Sequence, residues 1–225
     1  MIQWYESFTA AIGVAMDLLM AGVTGGTGKL ALERALDAGH RVVAVARRPE
    51  AVAARQGLRV IGGDVLQGGQ WQSEVGDCRA VLSCLGNTDR KHPTAVYSQG
   101  TANLLDSLAG GQERRLVCLS SAGLEIAPGT PWAQRTVTRL VIQPRFRHGY
   151  ADMARMEEFV SAQDVRWTII RPPMLTDAAS AGEARAAVNR HLEKPRSISR
   201  AALADYAVRI LEDPTTWKGT VEVSA

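Results

Sequence analysis

Residues 21–50, AGVTGGTGKLALERALDAGHRVVAVARRPE, set three glycines, Gly22, Gly25 and Gly28, at a regular spacing between an apolar run and an amphipathic one. The run before them, LLMAGV (18–23), reads as a strand. The segment behind them, TGKLALERALDAG, reads as a helix: Leu32 and Leu36 stack one turn apart, and Gly39 supplies the stop. A strand that enters a helix this way needs glycine for three separate reasons. The first position permits a tight turn, the second lets backbone approach a pyrophosphate, and the third lets the helix pack closely on the strand. The helix N-terminus then offers unpaired N–H groups and a positive dipole end to phosphate. Thr24, Gly26 and Thr27 complete the turn and join the three glycines as candidate phosphate-binding residues.

A nucleoside-triphosphate loop, G-x-x-x-x-G-K-[ST], is excluded. Gly28-Lys29 is present, but Val23 stands at the first glycine position and Leu30 replaces the hydroxyl that would meet magnesium. The second strand then decides which dinucleotide fits. A site for NAD puts Asp or Glu about 20 residues beyond the glycines to hold the ribose 2′-hydroxyl. Here RVVAVA (41–46) runs into Arg47 and Arg48. Two guanidinium groups suit a 2′-phosphate, which they grip with charge-assisted hydrogen bonds, so the pattern predicts NADP over NAD.

Working outward, LRVIGG (58–63), AVLSCLG (80–86), RLVCLSS (115–121) and RWTIIRP (166–172) also read as strands. They are apolar throughout rather than alternating, as expected of a parallel sheet covered on both faces. PTAVYSQGTANLLDSLAGG and YADMARMEEFVSAQ read as helices between them. Strand–helix alternation without repeat or linker predicts a single α/β domain, a doubly wound parallel sheet of the Rossmann type.

The remaining composition is ordinary. The chain has 225 residues, 46% of them hydrophobic and 22% charged, with a net charge of +3. That charge is too small to argue for nucleic acid. Arg135, Arg139, Arg145 and Arg147 form a local basic group that reads as solvated surface. Cys78, Cys84 and Cys118 show no metal-ligand spacing, so no metal site is expected. Cys84 and Cys118, inside apolar runs, read as buried thiols of a reducing, cytoplasmic setting. Residues 1–15 lack a basic leader region, carry Glu6, and fall short of the roughly 20 apolar residues that a membrane span requires. They are expected to be an extension outside a domain covering 16–225, with no membrane partner.

GVTGGTG, VARRPE, GGDV, LSSAG, YADMARMEEFV, WTIIRPPMLTD and ISRAALADYAV together resemble the atypical short-chain dehydrogenase/reductases, specifically the NAD(P)H-binding, NmrA-like group that includes flavin and biliverdin-IXβ reductases. The resemblance implies that Asp64 and Val65 contact adenine. It places Leu85 and Gly86 beneath the ribose and nicotinamide, and Ser120 and Ser121 close to the nicotinamide. Pro172, Pro173 and Met174 would cover the reactive ring. From the residues alone, Asp64 also reads as a helix N-cap or turn former, and the serines as strand-end hydrogen bonders.

One departure matters. Better-known members use Tyr-x-x-x-Lys, whose ammonium lowers the phenol's pKa for proton exchange. Here Tyr150 is followed by Ala154 at that spacing, and Met153 lies where related atypical enzymes place a Lys. Tyr150 is then expected to orient substrate rather than act as an activated base, with Ser121 as its catalytic partner. Asp152 and Glu157 read as helix-end charges and salt-bridge partners, and His148 as a loop histidine. Trp132, Val137, Leu140 and Val141 suggest either a substrate lid or a packing helix.

The expectation is an NADPH-dependent oxidoreductase acting on a small conjugated acceptor of flavin, quinone or enone type, as a monomer or homodimer. An NADP-binding redox sensor without turnover, or an isomerase or dehydratase using the same pocket, stays open.

Overall fold

The six apolar runs form six neighbouring strands: β1 (Asp17–Ala21), β2 (Arg41–Ala46), β3 (Leu58–Gly62), β4 (Ala80–Ser83), β5 (Arg115–Leu119) and β6 (Arg166–Arg171). The structure, a computed structural model, describes residues 15–126, 130–178 and 183–225. The expected extension, apart from Ala15, lies outside the described residues. The strands pair in the order β3-β2-β1-β4-β5-β6, and every one of these pairings is parallel. This is the strand order of a doubly wound dinucleotide-binding sheet, with the switch of winding direction between β1 and β4.

After β6 the chain adds β7 (Leu175–Thr176), β8 (Arg185–Val188), β9 (Ile198–Ser199) and β10 (Gly219–Ser224). β10 runs parallel to β6, and β8 closes that edge antiparallel to β10, giving an eight-stranded sheet. β7 and β9 pair with each other outside it. The helices are α1 (Gly26–Asp37), α2 (Gln70–Ser73), α3 (Ser98–Asp106), α4 (Trp132–Val137), α5 (Gln143–Arg145), α6 (Arg147–Ser161) and α7 (Arg200–Arg209).

Two apolar layers explain why the strand sequences do not alternate. Leu18 and Met20 point to the face covered by Ala31, Leu32 and Ala35 of α1 and by Leu203 and Ala207 of α7. Leu19 and Ala21 point to the other face, against Leu104 and Leu105 of α3 and Met156 and Val160 of α6. Full burial of a side chain of this size stabilises by roughly 1.5–3 kcal/mol, so central strands must be apolar on both sides. α1 stops as its sequence predicts. Gly39 takes φ +87°; its N–H bonds the Leu36 carbonyl and that of His40 bonds Ala35, the paired bonds of a Schellman turn.

Three expectations need correction. LLMAGV, AVLSCLG, RLVCLSS and RWTIIRP leave the sheet earlier than expected, at Ala21, Ser83, Leu119 and Arg171. Their final residues turn over the carboxyl edge instead of continuing the ladder. The helix expected over 93–111 forms only at Ser98–Asp106. β10 and α7 went unread because their signals are weaker. In β10, buried Val221 and Val223 alternate with half-buried Thr220 and Glu222, so no continuous apolar run marks it.

Candidate functional site

Gly22 leaves β1 with φ +79°, and a Cβ there would strike the carbonyl of Cys84. The N–H of Gly25 bonds back to the Gly22 oxygen at 2.9 Å and closes the turn. Gly25 then caps α1 through its backbone, without a side-chain hydrogen bond. A Cβ on Gly28 would strike the Gly22 oxygen and stand 3.2 Å from Cys84 Cβ. Close packing thus forces glycine at 22 and 28. At Gly25 a Cβ would find only the Gly22 oxygen, at 3.2 Å. Thr24, Gly25 and Gly26 are exposed, while Thr27 is buried. The first N–H groups of α1 have no intrahelical acceptor, and its first turn carries no acidic residue, which leaves the anion-binding end of the dipole open. Beneath the turn, burial pushes the Cys84 thiol up to about 12.

Arg200, at the start of α7, lies across this turn. Its Cδ and Nε stand 2.9 and 3.0 Å from where a Cβ on Gly26 would be, and its Nη1 meets Asp177 at 2.6 Å. Arg47 and Arg48 follow β2 at the same edge of the sheet, both exposed. Of the neighbouring basic residues, Arg55 pairs with Asp37 and Arg59 donates to the Val75 carbonyl.

After β3, Asp64 accepts the Leu66 N–H at 3.0 Å, which forms a local turn. The Val65 carbonyl accepts from Asn103 on α3 at 2.8 Å. Val65 and Leu85 meet over Gly100, where an added Cβ would stand 3.1 Å from Val65 Cγ2 and 2.8 Å from Leu85 Cδ1. The loops after β3 and β4 are thereby fixed to the same helix, and Gly86 opens on free space.

The two serines after β5 separate in role. Ser120 is buried and donates its hydroxyl to Glu157 Oε1 at 2.5 Å. Arg171 grips the same carboxylate, Nε to Oε1 at 3.0 Å, and pairs with Glu125 at 2.9 Å. Glu157 beside it raises the guanidinium's pKa further. Ser121 Oγ instead accepts the Gly123 N–H at 3.1 Å. A Cβ on Gly123 would collide with the Tyr150 hydroxyl and stand 3.4 Å from Ser121 Oγ. The chain therefore brings Ser121 and Tyr150 together across a glycine. Met153 packs against the core face, so no ammonium stands at that turn of α6. Asp152, fully buried, accepts the Tyr97 N–H at 2.8 Å and the Ser98 hydroxyl. It caps α3, as expected of a structural charge. His148 accepts from its neighbour Arg147 at 3.2 Å. Pro172 accepts the Ala122 N–H and Met174 the Ile198 N–H; Pro173 lies between them, and the Met174 side chain is 74% exposed.

A family model described as NAD(P)H-binding matches residues 22–214. The chain belongs to the NAD(P)H-binding family. A Streptococcus pneumoniae protein named for NADH-flavin reductase activity is 20% identical with a TM-score of 0.74, over 93% of this chain and 99% of that one. A Veillonella parvula short-chain dehydrogenase/reductase, solved in complex with NADP, is 16% identical with a TM-score of 0.71, over 93% and 94%. An uncharacterized chloroplastic protein of Arabidopsis thaliana is 27% identical over 218 residues, 92% of this chain and 76% of its own length. The family model begins at the first glycine of the turn and runs past α7, as the motif resemblance implied.

Membership in the NAD(P)H-binding family fits the cradle at the carboxyl ends of β1, β2 and β4, where the glycine turn leaves room for phosphate. A second cleft, of about 630 Å³, opens at the opposite ends of the strands beside Met16, Arg79, Arg115 and Trp217. It has no helix N-terminus from the glycine turn and lies apart from this chemistry. Sequence reading missed Arg200 and Gly123. Arg200 sits inside the quoted ISRAALADYAV stretch, but nothing local signals its reach to α1, more than 170 residues away in sequence. Among the described residues no three His, Cys, Asp or Glu side chains converge in a metal-binding group, and no helix is long and apolar enough to cross a membrane.

Proposed function

We propose that this NAD(P)H-binding chain is a reductase that uses NADPH to reduce a small conjugated acceptor of flavin, quinone or enone type. The observation that carries the reading is the pairing of Ser121 and Tyr150 across Gly123, with Met153 where a base-activating cation would stand. A bound NADPH supplies a hydride. A conjugated acceptor that takes it needs stacking, orientation and exclusion of bulk water, and its proton can come from solvent. Tyr150 and Ser121 supply hydrogen bonds that fix the acceptor. Glu157 and Arg171 hold the β5 and β6 ends through Ser120, so that Ser121 faces Tyr150.

The backbone of the 22–28 turn and the guanidinium of Arg200 would hold the pyrophosphate. Arg47 and Arg48 would take the 2′-phosphate. Asp64 and Val65 would border the adenine, Leu85 and Gly86 the ribose, and Pro172, Pro173 and Met174 the outer side of the nicotinamide. Three buried, unpaired thiols fit a reducing compartment.

The test is NADPH oxidation, followed by absorbance, against a panel of flavins, quinones and enones. Acceptor-dependent oxidation is expected with at least one class. Tight NADPH binding without turnover on any acceptor would replace this reading with that of a dinucleotide sensor.

A further inference from the structure

Among the described residues seven large hydrophobic side chains are exposed, and five of them, Trp132, Val137, Leu140, Val141 and Ile142, lie on one short stretch of α4 and the π-helical turn that follows it. Trp132 is 81% and Leu140 72% exposed, so this stretch is not the packing helix that its pattern allowed. Four-residue steps put Trp132 and Leu140 on one row and Val137 and Val141 on the next. Arg135 and Arg139 form a row beside them. No acidic residue occurs between Glu125 and Asp152. Next to the apolar stretch, Arg90 and Lys91 converge with Arg145 and Arg147 on one concave surface. The Arg90 guanidinium stacks 4.8 Å from the Phe146 ring centroid. Asp89, the one acid there, is engaged by His92 and by the N–H of Lys91.

We infer that this face docks the protein on an anionic lipid bilayer. An exposed apolar row flanked by arginines is the pattern of a helix lying in a membrane interface: the aliphatic side chains enter the acyl boundary and the cations meet headgroup phosphates. Two other partners match it less well. Nucleic acid would use the arginines but offers no aliphatic phase for Val137, Leu140, Val141 and Ile142. A two-fold contact with a second copy would set this patch against itself, arginine facing arginine. A surface contact of this kind needs no membrane-spanning helix. The docking claim is independent of turnover, though the face adjoins the candidate site, with Phe146 and Tyr150 ring centroids 5.8 Å apart.

The experiment sediments the full chain with vesicles of phosphatidylcholine alone or phosphatidylcholine mixed with phosphatidylglycerol, at low and high salt. Binding is expected only to the mixed vesicles, and it should weaken at high salt. Leu140→Ser with Val141→Ser, and separately Arg145→Gln with Arg147→Gln, should each reduce partitioning by about tenfold or more. Both double variants should melt and bind NADPH like the parent, which separates loss of docking from loss of fold. Failure of the parent to bind the mixed vesicles would overturn the inference, as would undiminished binding by the Leu140/Val141 variant. Tighter binding to a short DNA duplex, or a parent dimer that the Leu140/Val141 variant dissolves, would overturn it in favour of those partners.

Discussion

The side chain of Arg200 crosses Gly26, with its Cδ 2.9 Å from the position a Cβ would take, so a guanidinium from α7 stands over the N-terminus of α1. Its carboxylate partner, Asp177, has an 87% exposed side chain. An exposed pair of this kind contributes at most about 1 kcal/mol and gives way readily to a better anion. A cofactor phosphate at the helix N-terminus, as proposed above, would be that anion. A hydrogen bond to a charged group contributes roughly 1.5–3 kcal/mol, so Arg200→Gln should weaken NADPH binding by about tenfold or more while the melting temperature stays near the parent's. Fluorescence titration and thermal melts read the two quantities. Unchanged affinity would assign Arg200 to surface pairing alone.

Arg47 and Arg48 set the second expectation. They emerge together from β2 and both are exposed. NADPH should bind at least tenfold more tightly than NADH, a difference of about 1.4 kcal/mol. Replacing both arginines by Ser should erase that difference and leave NADH affinity unchanged. Equal affinities in the unaltered protein would end the assignment to NADP.

Tyr150 and Ser121 set the third. With Met153 and Ala154 rather than a Lys on that turn of α6, the Tyr150 hydroxyl is expected to act as a hydrogen-bond donor. A neutral hydrogen bond contributes on the order of 1 kcal/mol, whereas acid–base catalysis contributes 10²–10⁴-fold. Tyr150→Phe should therefore lower kcat by roughly tenfold or less, and Ser121→Ala by as much or more. Gly123→Ala should do more damage than either, because its Cβ collides with the Tyr150 hydroxyl and moves the ring. A thousandfold loss on Tyr150→Phe would make that residue an acid.

These three sites differ in how far they were legible. The glycine turn could be read because its demands are local: a positive φ at Gly22 and the absence of a Cβ at Gly28 leave only one residue type. The central strands were legible because burial on both faces imposes a continuous apolar run. β10 was not, since near the sheet edge only alternate side chains are buried. At the site, sequence assigned Ser121 to catalysis and Ser120 to the cofactor, but could not say how the surroundings of the two hydroxyls differ. The difference depends on Glu157 reaching Ser120 from α6, a contact between residues 37 apart in the chain. Arg200 is the extreme case, for its partner turn is formed by the other end of the domain.

The last prediction concerns stability rather than binding. His40 follows the Schellman turn of α1 and is 7% exposed. Its Nδ1 accepts the backbone N–H of Met16 at 3.4 Å, an arrangement that needs the neutral ring at that nitrogen. Burial lowers its pKa, and the field of Glu212 only partly opposes that shift. In the unfolded chain a histidine takes its proton near about pH 6.5. Above that value both states are neutral at this residue, and the full stability is present. As pH falls below it, the unfolded chain binds the proton first, so stability declines until the folded-state pKa is passed and then levels off. The slope in that window is at most about 1.4 kcal/mol per pH unit for one group. Other histidines, His92 beside Asp89 and His191 beside Glu222, are common to both proteins, so the informative quantity is a difference between the two. Urea unfolding of the parent and of His40→Gln, measured from pH 7.5 down to about 5, should show the parent losing stability more steeply than the variant. Parallel curves would mean that His40 stays neutral, or becomes charged, equally in both states.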